Sequence, residues 1–205
     1  MAWKNTDAAW GGVAKFFHWT IAALIIGSSV FVLHINDGFP WFKSTPQIFI
    51  LNINWHKLLG ILALVFIIAR LLWRRRGPVP ATAGLTPFEE RMSKWAHRSL
   101  YVLMILVPIM GWLSSSAFGS PVKIPGVGAL PLIWWNDRTL LPFFYWSHYV
   151  LAWTLLGLIA LHAGAAIYHH FVKKDGVLRG MLPGRGAAKA LAMPSGEPVE
   201  PASKT

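Results

Sequence analysis

The sequence predicts an all-α integral membrane protein, a four-helix bundle with both termini cytoplasmic. Three observations carry this. Of 205 residues, 55% are hydrophobic and 13% are charged, about half the charge of an ordinary soluble domain. Four apolar stretches are each long enough to cross a bilayer, which takes about 20 helical residues. When those stretches are threaded through a membrane, 15 of the 19 Lys and Arg fall on one side. The chain has no Cys, which removes disulfides, thiolate metal sites, iron–sulfur clusters, Cys nucleophiles and covalent haem attachment through CxxCH.

The spans follow in order. The first covers residues 16–35. It is too long for a signal-peptide apolar core and no small-x-small cleavage site follows it, so it reads as a retained helix. The second covers 48–73 and the third 94–118, where Pro108 and Gly111 predict a kink. The fourth covers 142–172. None alternates with period two, so all four read as helices. The basic residues lie before Phe17, between Arg70 and Arg98, and after His169. The positive-inside rule makes that side cytoplasmic. Only Lys43, Lys57, Lys123 and Arg138 lie opposite. The net charge of +11 is therefore topological, and no nucleic-acid partner is expected. Membrane lipid is the expected surroundings, with Trp41, Trp134 and Trp135 suited to an interfacial belt. Residues 1–183 read as one transmembrane domain, and the Ala/Pro/Ser-rich 184–205 as a disordered cytoplasmic tail.

Eight His in so apolar a chain are the candidate chemistry. Intramembrane His is expensive and usually faces the bundle interior with a partner. His148 and His162 on the fourth helix are 14 residues apart, about 40° short of four full circles and about 21 Å along the axis. They share one face at two depths, as ligands of two stacked haems would. Depth selects the second ligands: His18 meets His162 near the cytoplasmic side, and His56 meets His148 near the outer side. Two rivals exist. His34 faces away from His18 on the same helix, about 160° round. His97 competes with His18, its other role being a hydrogen bond to a haem propionate or a quinone. Bis-His ligation saturates the iron and suits electron transfer. The propionates need cations, and Lys57 and Arg70 are the candidates. Gly60 and Gly157 allow close approach of a macrocycle or of another helix. His169 extends the ligand face about 10.5 Å past His162. With His170 and His97 it adds imidazoles able to relay protons, and the family resemblance described next implies a quinone as their partner.

These residues resemble the bacterial cytochrome b561 family. The likeness covers roughly residues 10–183 and rests on seven segments in order: FHW at 17–19, HKLLG at 56–60, AHRSLY at 96–101, PIMGW at 108–112, SSAFGSPV at 115–122, SHYVLAW at 147–153 and LHAGAAIYHHF at 161–171. The resemblance implies a multi-pass protein of the bacterial inner membrane with two noncovalent b haems, held by the pairs His18–His162 and His56–His148. It also implies electron transfer from a periplasmic donor such as superoxide to ubiquinone, the activity of a superoxide oxidase. A slight excess of outer cations is compatible with an anionic donor. One alternative is a haem-bearing membrane anchor for a hydrogenase or formate dehydrogenase. A second is a haem-free, His-lined metal transporter.

Overall fold

The computed structural model describes residues 2–35, 45–80 and 85–183. Four helices long and apolar enough to cross a membrane dominate it: α1 (Gly12–Ile35), α2 (Pro46–Arg74), α3 (Pro87–Ala117) and α4 (Leu141–Tyr168). A short antiparallel hairpin of β1 (Lys123–Ile124) and β2 (Gly128–Ala129) separates α3 from α4. A π turn, His169–Lys173, continues α4, and the one-turn-plus helix α5 (Val177–Met181) follows.

The helix starts obey local rules. Thr45 accepts from Ile48 N–H and Pro46 opens α2, where the missing N–H of proline costs nothing. Thr86, Pro87 and Glu89 build a complete capping box on α3. This is why α3 begins at Pro87 and not at the expected 94. Its polar first turns lie before the apolar stretch. The other three spans lie within four residues of their expected starts. The 22 residues from 184 on, Trp41, and most of the first loop lie outside the described residues.

Packing is dominated by helix neighbours. Ile21, Leu64 and Ile67 form one buried cluster with Phe17, Ile25, Tyr101 and Ile105 around them, joining α1, α2 and α3. Leu100, Leu103 and Leu155 form another, joining α3 to α4 with Val107, Leu151 and Ile159. The outside is as apolar as the inside: Ile26, Val30, Val65, Val102, Trp153 and Leu161 are all exposed. In water this would be a large aggregation surface, whereas lipid tails solvate it without cost.

The two ends of the bundle are closed differently. At the hairpin end, the loop is fastened to α3: Ser115 Oγ donates to the Ser120 carbonyl, Ser116 Oγ accepts from Ile133 N–H at 3.2 Å, and Trp112 Nε1 donates to the Pro131 carbonyl. Trp134 and Trp135 stack with ring centres 4.1 Å apart. At the opposite end, α5 is tied across α1. The buried Lys15 Nζ donates to the Leu182 carbonyl at 3.0 Å and Trp19 Nε1 to the Met181 carbonyl at 2.9 Å. Lys173 pairs with Glu89 of α3.

Candidate functional site

Two groups of imidazoles form between the helices, one towards each end of the bundle. His56 on α2 and His148 on α4 face one another with ring centres 5.9 Å apart. His18 on α1 and His162 on α4 do the same at 6.2 Å. Two imidazoles on opposite sides of one metal ion stand about 6 Å apart centre to centre, given a metal–nitrogen bond of about 2 Å and about 1.1 Å more from nitrogen to ring centre. Both separations match. His97 on α3 joins the second group, 5.3 Å from His162, which is shorter than that spacing.

The hydrogen bonds set the tautomers. His148 Nδ1 lies 2.9 Å from the Val107 carbonyl. His56 Nδ1 lies 2.9 Å from both the carbonyl and the hydroxyl of Ser28, whose Oγ donates in turn to the His56 carbonyl. His97 Nδ1 lies 2.7 Å from the Ser93 carbonyl. A carbonyl can only accept, so each of these rings carries its proton on Nδ1 and keeps the Nε2 lone pair free. That is how a metal-ligating imidazole is oriented. Gly111 completes the arrangement: a Cβ there would come within 2.9 Å of His148 Nδ1. A side chain at 111 would displace the ring from its carbonyl.

The cations lie close by. Lys57 Nζ donates to the carbonyl and hydroxyl of Ser120 at 3.2 and 2.9 Å. Arg70 donates to Tyr101 Oη and to the Ala14 carbonyl, and Arg74 donates to the same Tyr101 oxygen. Among the described residues neither Lys57 nor Arg70 meets a carboxylate, so each brings an uncompensated positive charge. Gly60 sits at the close approach of α1 and α2, its Cβ position 4.0 Å from Ser28 Oγ. Gly157 is exposed with nothing within 4 Å of its Cβ position. His169 lies beyond His162, with Nδ1 2.5 Å from Asp175 Oδ2.

The family model for prokaryotic cytochrome b561 matches residues 9–184. The chain belongs to that family. It is a multi-pass membrane protein of the bacterial cytochrome b561 type, and the family's cofactor is b-type haem. The chain is 29% identical over 188 residues to Cytochrome b561 homolog 2 of Escherichia coli (strain K12), covering 89% of this chain and 95% of the relative. It is 26% identical over 175 residues to Cytochrome b561 homolog 1 of the same organism, covering 83% and 94%. It is 31% identical over 134 residues to a Yersinia pestis protein named Probable superoxide oxidase CybB, covering 63% and 76%. The chemistry of the donor set fits haem iron. Paired neutral imidazoles at bis-ligand spacing and no sulfur donor but Met suit a b-type centre.

Several participants escaped the sequence reading. Ser28, Ser93 and the Val107 carbonyl orient the histidines, Tyr101 holds two arginines, and Asp175 holds His169. Only Asp175 left a trace, an acid directly after the basic pair Lys173–Lys174 that follows the fourth span.

Proposed function

We propose that this cytochrome b561 carries electrons across the bacterial inner membrane from a periplasmic donor, superoxide, to ubiquinone. The observation that supports it most is the pair of imidazole pairs at 5.9 and 6.2 Å, one towards each end of the bundle. Bound there, two b haems supply one-electron carriers that span the membrane's depth. His56 and His148 would hold the haem on the outer side, and His18 and His162 the one on the cytoplasmic side. Both termini are cytoplasmic on this reading, from the placement of Lys and Arg. Residues 1–183 form the dihaem domain.

The remaining residues take roles that follow from their contacts. Ser28 and the Val107 carbonyl lock two ligand tautomers. His97 lies nearer His162 than a second ligand on the same iron would, so it stands beside the cofactor as a neighbour whose free Nε2 can accept a hydrogen bond. Lys57 and Arg70 neutralise haem propionates, whose charge would otherwise be buried unpaired. His169 contacts the quinone at the cytoplasmic side. Superoxide as donor draws on the name of the Yersinia pestis relative and on the four outer cations, which attract an anion. Against the metal-transporter reading, no three His, Asp or Glu among the described residues cluster to hold a bare ion.

Rapid mixing of the purified protein with superoxide tests the proposal. Reduction of the haem bands within milliseconds, followed by reoxidation on adding ubiquinone, is the expected result. Bands that dithionite reduces and superoxide does not would overturn superoxide as donor. Isolation in a stable complex with a soluble dehydrogenase would instead establish the anchor role.

A further inference from the structure

The π turn after α4 brings together two groups that no helical spacing would pair. Asp175 lies six positions after His169, yet His169 Nδ1 and Asp175 Oδ2 are in hydrogen-bond contact at 2.5 Å. The backbone enforces this. Asp175 N–H donates to the His169 carbonyl at 3.2 Å, and Lys174 takes a left-handed conformation with φ 56°. Asp175 Oδ1 is already committed, accepting from Val177 N–H at 3.0 Å. Both side chains are largely shielded, at 12% and 17% exposure. The strap that carries Asp175 is anchored on its far side by Lys15 and Trp19 of α1. π turns inside or at the end of a helix often mark functional positions.

We infer that His169 and Asp175 form a proton-delivering couple, with Asp175 a positioning residue that holds the His169 Nδ1 proton and aims Nε2 at the quinone. This rests on the reading that ubiquinone is reduced at the cytoplasmic side. Reduction of one quinone to quinol takes two electrons and two protons. The electrons come singly from two superoxide anions, each of which leaves as O₂. One proton passes from Nε2 of the His169 imidazolium to a quinone oxygen. The ring is left neutral, with its proton on Nδ1 and hydrogen-bonded to Asp175. Water on the cytoplasmic side returns the Nε2 proton, and the second transfer repeats the first. A carboxylate behind an imidazole fixes its tautomer and stabilises its cationic form. Other charged or titratable groups on the strap and on the helices it touches include Lys15, His170, Lys173 with its partner Glu89, Glu90, Lys174 and Arg179. Asp175 is the carboxylate that meets the His169 ring.

The test uses the full-length protein with both haems, a short-tailed ubiquinone, and the variants Asp175→Asn, Asp175→Glu and His169→Gln. Asp175→Asn should keep haem content and the rate of haem reduction by superoxide. Quinone-driven reoxidation should slow by about tenfold or more. Asp175→Glu should recover part of the rate. In ¹⁵N-histidine spectra of the quinone-free protein, His169 should hold its proton on Nδ1 in the wild type and lose that preference in Asp175→Asn. Reoxidation at an unchanged rate, or an unchanged His169 tautomer, in Asp175→Asn would overturn the couple. A wild-type protein whose reduced haems ubiquinone does not reoxidise would overturn the quinone reading beneath it.

Discussion

His148 depends on a neighbour with no side chain. Its ring fits against Gly111 and reaches the Val107 carbonyl one turn earlier on the same helix. Replacing Gly111 by Ala should push the ring off that carbonyl. Losing such an orienting partner costs about 10–100-fold in metal affinity, so Gly111→Ala should release the haem held with His56 on dilution while the other stays bound. Haem quantitation after gel filtration checks this. His148→Ala should lose that haem outright, leaving one per chain. His97→Ala should leave two, and a fall to one would make His97 a ligand. Helical arithmetic made the shared face of His148 and His162 legible from spacing alone. The partners Ser28 and Val107 were not legible. They depend on the rotation and depth of one helix against another, which apolar periodicity in a lipid-facing helix does not encode.

The ends of α3 and α4 show what local chemistry decides. Thr86, Pro87 and Glu89 start α3 well before its apolar stretch, because a capping box satisfies the first N–H groups whatever follows. Thr86→Ala should cost about 1 kcal/mol, read as a lowered thermal midpoint with unchanged haem spectra. The box was present in the sequence, but hydropathy outweighed it in placing the boundary. The strap after α4 was invisible for another reason. Its contacts run from Lys15 and Trp19 to backbone carbonyls at 181 and 182, and a carbonyl leaves no mark on residue identity. Trp19→Phe keeps the ring and deletes the donor. A net hydrogen bond is worth about 0.5–1.5 kcal/mol, so amide exchange across 177–182 should speed up about three- to tenfold.

Lipid accounts for the composition of the chain. Apolar residues cover the exterior of the four helices, while the interior holds histidines, Lys57 and Arg70. Such an exterior suits a molecule whose outside is solvated by hydrocarbon. The basic residues then orient it, and a reporter fused after Thr205 should read as cytoplasmic. With no Cys in the chain, imidazole is the remaining strong ligand it offers for iron. The most direct measurement is haem content per chain in the purified protein, with a reduced-minus-oxidised spectrum. Two noncovalent b haems per chain, both low-spin, are expected from two bis-imidazole sites. A single haem, or none, would contradict the pairing of His18 with His162 and His56 with His148.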